Sequence, residues 1–492
     1  MATNPILKGF NPDPSICWAN GRYYVAVSTF EYFPAVAIYE SDDLVHWGYL
    51  TSALDRVEQI DLKGCKNSSG IYAPTLRHAN GRFYLVTTNK NIPMNFLVTA
   101  ESAEGPWSDP LPIHPSGIDP SLFFDDDGSC FYTSNGSIDG RKGIVGAYIN
   151  RESGELEGNL RLISEGVTGH ATEAPHIYKR EGWYYLLVAE GGTEYGHQAN
   201  ILRSRAIDGP YEACPSNPIL SHVNRKGHPI QATGHADLIE APDGSWYAVF
   251  LGIRLFSKAQ LHNLGRESFI APVTWSDGWP MIGNGGHVEL SFPSLERGEE
   301  TPSIQTIRFD GTLEHYPLLK LRVPKPQCYL QEGSNLTLVG EDPLGKSGGE
   351  PTLLALRQSE FATTFTARLH LPSLEGRAGI VAWYNSDYHL KLQVERTGDT
   401  TFTVSMIRSV HDFEAVTTCM VIESSSEEML LTCTSDKEYY HFLADRTLVD
   451  SASIATLCTE TTMYMTFTGA LLGIWAEEGK ATFVKEMVLE ER

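Results

Sequence analysis

The sequence predicts an all-β protein, a five-bladed β-propeller followed by a C-terminal β-sandwich. Three observations favour this fold class. Gly (44 residues) and Pro (27 residues) punctuate short runs rich in Val, Tyr, Phe and Thr, which is typical of strands separated by turns. One segment layout recurs five times in the first 295 residues, and alternating apolar and polar residues continue after the repeat ends.

Each repeat has a short polar motif, an aliphatic strand, a tight turn and an aromatic pair that opens a second strand. The turns are Asn20-Gly21, Asn80-Gly81, Asp127-Gly128, Glu181-Gly182 and Asp243-Gly244. Asn-Gly and Asp-Gly tolerate positive φ and therefore favour hairpins. Repeat starts lie 46 to 62 residues apart, counted between Pro14, Pro74, Pro120, Pro175 and Asp237. That spacing leaves room for two further strands, so each repeat predicts one four-stranded propeller blade.

These patterns divide the chain into two domains. We assign residues 1–295 to the propeller and residues 305–492 to the β-sandwich. The turn-rich stretch Pro293–Pro302 is the predicted linker. Beyond it, short runs such as Phe365–Leu371 and Leu390–Val394 alternate apolar and polar residues, as strands with one buried face do.

Composition excludes several classes of partner. Lys and Arg number 38 against 61 Asp and Glu, so the net charge is −23 and the chain repels nucleic acids and anionic membranes. No apolar run approaches the roughly 18 residues of a membrane helix.

The eight cysteines form no C-x-x-C pair, and we expect them to be buried thiols in a reducing compartment. With no signal peptide visible, we expect a cytoplasmic protein, or a secreted one if a leader has been removed.

Three acidic residues occupy matched positions in the repeat. Asp13 and Asp119 are equivalent, and Glu173 is offset from them by one residue. Because a propeller gathers equivalent positions around one channel, we expect all three carboxyl groups at one channel mouth. Crowding and burial raise some of their pKa values and leave another carboxylate ionised, which is the division that glycoside hydrolysis requires. The alternatives are turn residues before proline, or an acidic cluster that binds Ca²⁺.

Four further residues near the same mouth suit a sugar site. Phe30 and Tyr72 offer rings for stacking on a sugar, and the Arg266 guanidinium can fork onto adjacent hydroxyls. His235 is the repeat equivalent of Glu173 and should also face the channel. Core packing of the rings and a structural role for His235 are the alternatives. A further alternative is that His235 lies beside a structural Ca²⁺ or other hydrated cation below the sugar.

Several motifs resemble glycoside hydrolase family 43, in particular its two-domain β-xylosidases and α-L-arabinofuranosidases. The motifs are Asn11-Pro-Asp13-Pro-Ser, Thr172-Glu173-Ala-Pro-His, Gly234-His235-Ala-Asp and Leu264-Gly-Arg266-Glu-Ser-Phe. The resemblance implies an inverting hydrolase with Asp13 as general base, Glu173 as general acid and Asp119 as the residue that tunes and orients the acid. It also implies that Arg266 contacts sugar hydroxyls beside Phe30, and that Phe467 reaches back from the second domain to close the pocket. For Phe467, burial in the sandwich core is the alternative.

The expected function is therefore exo-acting release of xylose or arabinose from pentose-containing oligosaccharides, with no cofactor required. Homo-oligomers are expected only by resemblance. Tyr72 stands where the family often has Trp and Ala174 where Gly is common, so the choice between the two sugars stays open. Two other functions remain: an arabinan-cleaving relative with an open groove, and a non-catalytic sugar-binding propeller.

Overall fold

The computed structural model describes residues 2–115, 117–256, 260–292 and 303–491. It confirms the predicted fold class, a five-bladed β-propeller followed by a β-sandwich. The predicted linker Pro293–Pro302 lies outside the described residues. Within the described ranges, no helix has the length and apolarity needed to cross a membrane.

The first domain consists of short antiparallel strands. They are β1 Ala2–Thr3, β2 Ser15–Ala19, β3 Arg22–Val27, β4 Tyr32–Phe33, β5 Ala35–Ser41, β6 Gly48–Leu54, β7 Thr75–Ala79, β8 Arg82–Asn89, β9 Met94–Ala100, β10 Leu111–Ile113, β11 Ser121–Phe124, β12 Cys130–Ile138, β13 Arg141–Ile149, β14 Leu156–Ser164, β15 Glu173–Arg180, β16 Trp183–Glu190, β17 Gln198–Ser204, β18 Glu212–Ala213, β19 Leu220–Ser221, β20 Ile230–Glu240, β21 Trp246–Arg254, β22 Glu267–Ser276, β23 Trp279–Ile282 and β24 Ser291–Phe292.

These strands form five blades. The sheet orders are β2-β3-β5-β6, β7-β8-β9-β10, β11-β12-β13-β14, β15-β16-β17-β18 with β19 added to β17, and β20-β21-β22-β23. The first strand of each blade contacts the first strands of both neighbouring blades, which closes a ring around the channel. The ring places the start of every repeat at the channel, as the repeat pattern predicts.

The hairpin turns differ in one respect from the pattern that the sequence suggests. Both residues of Asn20-Gly21 have positive φ, 52° and 83°, as a two-residue hairpin turn requires. In Asp243-Gly244 only the glycine does, and the Asp243 carboxylate instead accepts a hydrogen bond from the Ser245 amide at 2.9 Å. The aspartate here works as a side-chain acceptor inside a longer turn.

The second domain is a nearly closed β-sandwich. Its strands are β25 Ile304–Arg308, β26 Lys320–Leu321, β27 Tyr329–Glu332, β28 Asn335–Val339, β29 Thr352–Arg357, β30 Thr363–His370, β31 Glu375–Trp383, β32 Tyr388–Arg396, β33 Thr401–Val410, β34 Phe413–Glu423, β35 Glu428–Ser435, β36 Tyr439–Ala444, β37 Thr447–Ser453 and β38 Leu471–Glu491. The main sheet runs β34-β33-β32-β31-β38-β30-β35-β36-β37. Short 3₁₀ helices occur at Val57–Gln59, Leu313–His315, Pro326–Cys328, Ile454–Leu457 and Thr459–Thr461.

The long strand β38 links the two layers of the sandwich. Its first part pairs with β29 and β31, and its last part pairs with β25, β28 and β30. The sandwich core is one continuous cluster of buried side chains from most strands of this domain, and Phe256 and Leu264 of the propeller join it.

The two domains share a hydrophobic core of their own. Strand β4 of the propeller pairs with β26 of the second domain. Phe10, Phe30 and Tyr32 of the propeller pack in one cluster with residues of the second domain that include Trp383 and Trp475. The ring of Phe30 therefore lies at the interface between the two domains.

Glu31 is a charged residue buried beside this shared core. Its Oε2 accepts a hydrogen bond from the Ser68 amide at 3.0 Å, and its Oε1 has no hydrogen-bond partner among the described residues. Burial raises its pKa to about 7, although the nearby Arg322 guanidinium acts in the opposite direction. The folded protein thus favours neutral Glu31.

Glu31 makes stability depend on pH. Because its pKa in the folded protein lies above the ordinary value of 4.5, its contribution is fully present below pH 4.5 and is lost as the pH rises through about 7. We expect the free energy of unfolding of Glu31→Gln, taken relative to that of the wild type, to rise by about 2 kcal/mol from pH 5 to pH 8. Denaturant unfolding at both pH values measures this, with the exposed Glu104→Gln as control. The same difference in unfolding free energy between Glu31→Gln and the wild type at pH 5 and at pH 8 would contradict the prediction.

Candidate active site

A cavity of about 150 Å³ lies where the first strands of the blades meet the second domain. Asp13, Asp119 and Glu173 all line it, so the structure brings the three matched acids together. The other predicted site residues line it too. They are Phe30, Tyr72, His235, Arg266 and Phe467.

The residues before three of the repeat prolines share an unusual backbone conformation. Asp13, Asp119 and Ala174 each precede a proline and adopt left-handed φ values of 56°, 53° and 51°. Such conformations are unfavourable for residues other than glycine, and they persist where the surrounding structure enforces them. The common conformation supports the predicted equivalence, and it shows why Glu173 is offset: the residue equivalent to the two aspartates is Ala174.

Asp13 is almost fully buried and is held by cationic and polar neighbours. Arg266 Nη1 donates to its Oδ1 at 2.8 Å, Ser28 Oγ donates to its Oδ2 at 2.5 Å, and His235 Nδ1 lies 3.7 Å from Oδ1. Burial alone would raise the pKa of Asp13. The charge of Arg266, the adjacent His235 and the Ser28 hydrogen bond outweigh burial, so its pKa lies below the ordinary value of 3.8.

Glu173 and Asp119 have pKa values shifted in the opposite direction. Burial and the negative charge of Asp13 raise the pKa of Glu173 above 4.5. Burial and the charges of Glu173 and Asp13 raise the pKa of Asp119 well above 3.8. Asp119 Oδ2 also accepts a hydrogen bond from the Ala174 amide at 3.1 Å, which ties it to the backbone beside Glu173. The site therefore combines one carboxyl group with a lowered pKa and a neighbouring pair with raised pKa values.

Arg266 links Asp13 in the propeller to Phe467 in the second domain. Besides Asp13, it donates to Thr193 Oγ1 at 3.1 Å, and its Nε and Nη2 both donate to the backbone carbonyl of Phe467 at 3.3 Å. The sequence predicts a guanidinium available for sugar hydroxyls. In the structure its donors already have protein acceptors, and the predicted sugar contact stays a prediction.

Three aromatic rings form one wall of the cavity. The ring centroid of Phe30 lies 5.1 Å from that of Tyr72 and 5.7 Å from that of Phe467. The Arg266 guanidinium lies 5.4 Å from the rings of Phe30 and Phe467. Phe467 is thus part of the pocket wall, and it also packs against the shared core of the two domains.

Two glycines let the second domain approach this closely. A Cβ atom on Gly469 would lie 2.2 Å from the carbonyl oxygen of Leu264, and one on Gly265 would lie 2.8 Å from the Cα of Gly469. The Ala470 amide donates to the Asn263 carbonyl at 2.8 Å beside this contact. The backbones that carry Arg266 and Phe467 therefore touch directly.

A buried polar network fills the channel away from the cavity. Arg77 donates to both carboxylate oxygens of Asp237, at 2.7 and 3.0 Å, and lies 2.9 Å from His176 Nδ1. Tyr178 donates to Asp237 at 2.6 Å, and these contacts hold the pKa of Asp237 well below its ordinary value.

Sequence reasoning did not single out three residues that shape the site. Ser28 binds Asp13, Thr193 binds Arg266, and His197 lines the cavity. Thr193 and His197 lie between β16 and β17, outside the repeated motif on which the sequence predictions rest. Nothing in the sequence pattern marks Ser28, because its role depends on a contact between separate segments of blade 1.

The residues around His235 give no direct support to the calcium expectation. Among the described residues, no group of three or more His, Cys, Asp or Glu side chains converges as metal ligands. Burial lowers the pKa of His235, and the nearby Asp13 is already paired with Arg266. A cation here would depend on water ligands and a neutral imidazole.

Comparison with known proteins agrees with this geometry. The chain matches the family described as "Glycosyl hydrolases family 43" over residues 2–280, and the "Beta xylosidase C-terminal Concanavalin A-like domain" over residues 308–483. The chain belongs to glycoside hydrolase family 43, and it is a glycoside hydrolase. The non-catalytic alternative is therefore wrong.

Similar proteins cover nearly the whole chain. A Bacteroides ovatus protein named non-reducing end alpha-L-arabinofuranosidase BoGH43B is 38% identical over 96% of this chain and 90% of its own length. A Bacillus subtilis beta-xylosidase is 37% identical over 80% of this chain and 79% of its own. The crystal structure of a xylan beta-1,4-xylosidase from Bacillus halodurans superposes with a TM-score of 0.91, at 33% identity and full coverage of both chains.

Removal of divalent cations tests the calcium expectation. Because the donor set is poor and two carboxyl groups can carry the acid–base chemistry, we expect dialysis against EDTA to leave the hydrolysis rate and the melting temperature unchanged. A fall in either quantity that added Ca²⁺ restores, and Mg²⁺ does not, would contradict this expectation and support a structural calcium site.

Proposed function

We propose that the protein is an exo-acting, inverting hydrolase that removes single xylose or arabinose units from the ends or branches of pentose-containing oligosaccharides. The observation that carries this proposal is the opposite pKa shift of two carboxyl groups in one cavity, Asp13 downward and Glu173 upward. The names of the relatives, which include both sugars, support the pentose class and leave both activities open.

In the proposed reaction Asp13 is the general base and Glu173 the general acid. Asp13, ionised beside Arg266, takes a proton from a water molecule as the water oxygen attacks the anomeric carbon. Glu173 gives its proton to the glycosidic oxygen as the bond from that oxygen to the anomeric carbon breaks. The products are a free pentose of inverted anomeric configuration and an alcohol. This pathway requires carboxyl groups roughly 6.5–9.5 Å apart, with the water between them.

Asp119 acts through Glu173 in this proposal. Its hydrogen bond from the Ala174 amide fixes its place beside the acid. The charge of Glu173 raises the pKa of Asp119, so the two carboxyl groups compete for protons and titrate as a pair. Asp119 is thus a positioning and tuning residue.

The shape of the cavity supports exo action. A volume of about 150 Å³ suits a single sugar unit, and Phe467 of the second domain forms part of one wall. An arabinan-cleaving relative would need an open groove across the channel mouth. Closure by Phe467 favours the pocket over the groove.

The setting of the enzyme is part of the proposal. All eight cysteines are free and seven are buried, which supports a protein that works in a reducing compartment. The acidic charge disfavours nucleic-acid and anionic membrane partners. Hydrolysis by two carboxyl groups and water requires no cofactor, and association into homo-oligomers stays a proposal.

Removing each proposed catalytic group should give a different rescue pattern. We expect Asp13→Ala and Glu173→Ala each to lower turnover of aryl xylosides and arabinofuranosides by about 10²–10⁴-fold. A substrate with a good leaving group needs no protonation, so it should restore part of the rate of Glu173→Ala and none of Asp13→Ala. Proton NMR of the first product should show inverted configuration. Near wild-type turnover in both variants, or retained configuration, would refute the assignment.

The pH dependence should be bell-shaped. The rate constant kcat/KM should fall at low pH as Asp13 takes up a proton, below 3.8, and at high pH as Glu173 loses its proton, above 4.5. Ser28→Ala removes a hydrogen bond to the ionised form of Asp13, so the acid limb should move up by about one pH unit while the alkaline limb stays in place. Movement of both limbs, or of the alkaline limb alone, would contradict the assignment.

A further inference from the structure

The segment Thr459–Phe467 of the second domain reaches the propeller and ends at the pocket; we call it the strap. A second cavity, of about 330 Å³, separates the middle of the strap from the propeller. Its lining includes Met463 and Tyr464 of the strap, and Tyr195, His262 and Arg266 of the propeller. The middle of the strap borders this cavity, and polar contacts at Glu460, Tyr464 and Phe467 join the strap to the propeller.

Glu460 provides the charged contact at the start of the strap. Its Oε1 lies 2.6 Å from His262 Nδ1 and accepts a hydrogen bond from Tyr195 Oη at 2.8 Å, and its Oε2 accepts one from the His262 amide at 3.1 Å. The His262 side chain is 8% exposed and that of Glu460 20%. Burial would raise the pKa of Glu460, but its contacts with His262 outweigh that effect and the pKa lies below its ordinary value.

Backbone groups of Phe467 hold the far end of the strap. The Phe467 amide donates to Ser68 Oγ at 3.0 Å, and the Phe467 carbonyl accepts from Arg266. Tyr464 Oη accepts a hydrogen bond from Asn67 at 3.1 Å. In the described part of the chain, Glu460 is the strap residue that offers a charge to the propeller.

These contacts form a continuous chain around the second cavity. Arg266 binds Thr193, which lies two residues from Tyr195 in the same loop. Tyr195 binds Glu460 at one end of the strap, and Phe467 at the other end binds Arg266. The start of the strap is therefore linked to the guanidinium that pairs with Asp13.

We propose that Glu460 is a positioning residue for the sugar pocket: through His262 and Tyr195 it holds the strap where the Phe467 ring closes the pocket and the Phe467 carbonyl meets Arg266. This inference rests on the proposed function, since it assigns Phe467 to the wall of a sugar-binding pocket. Glu460 touches no reacting group. Its loss should weaken sugar binding and leave the chemical step nearly intact.

The test compares two carboxylates that bridge the same pair of domains. We expect Glu460→Ala to raise KM for the better aryl pentoside and the inhibition constant of the free pentose by about tenfold, with kcat within threefold of wild type. Glu460→Gln keeps an acceptor for Tyr195 and the His262 amide, and it should recover part of the affinity. Glu360→Ala is the matched control, because Glu360 pairs with Lys8 and Arg254 across the interface at 2.8 Å and makes no contact with the strap.

Each outcome decides the proposal. Equal KM increases in Glu460→Ala and Glu360→Ala would show general loosening of the domains and overturn it, as would an unchanged KM in Glu460→Ala. Wild-type turnover of the aryl pentosides reports separately on the proposed function. A crystal structure of Glu460→Ala, or of Glu460→Gln if the alanine variant does not fold, shows the position of the strap without any substrate. Displacement of Phe467 from Arg266 is expected, and an unmoved strap would overturn the inference.

Discussion

The buried ion pair between Asp13 and Arg266 is the interaction on which the site depends. Burial would otherwise favour a neutral Asp13, and its negative charge in turn helps to raise the pKa values of Glu173 and Asp119. Isolated buried charges are costly, so a pair of this kind must be completed by further hydrogen bonds. Ser28, Thr193 and the Phe467 carbonyl provide them, and each belongs to a different segment of the chain.

The fold supplies this arrangement through its radial repeat and its second domain. The repeat places residues before proline at one channel mouth, where Asp13, Asp119 and Ala174 share a left-handed backbone conformation and the three acids line the cavity. The second domain shares a core with the propeller and closes the cavity with Phe467. The domain interface is therefore part of the site as well as a means of holding two domains together.

Periodic features of the sequence were sufficient to predict the fold class and to bring the acids together, because a repeat constrains many positions at once. The sequence could not reveal which groups Arg266 binds, since the guanidinium suits sugar hydroxyls and carboxylates equally. Ser28, Glu31 and Glu460 were not predicted because their roles depend on contacts between segments distant in the chain. The Asp243-Gly244 turn differs from the expected hairpin because aspartate can accept a backbone hydrogen bond instead of adopting positive φ.

The pKa values of the three acids are shifted in opposite directions, and neutron diffraction from deuterated crystals kept between pH 3.8 and pH 4.5 observes the result directly. In that range we expect no deuterium on the Asp13 carboxylate, whose oxygens accept hydrogen bonds from Arg266 and Ser28, and deuterium on Glu173, with Asp119 also deuterated or sharing the deuteron. A deuteron on Asp13 together with an ionised Glu173 would show that the base and the acid are exchanged.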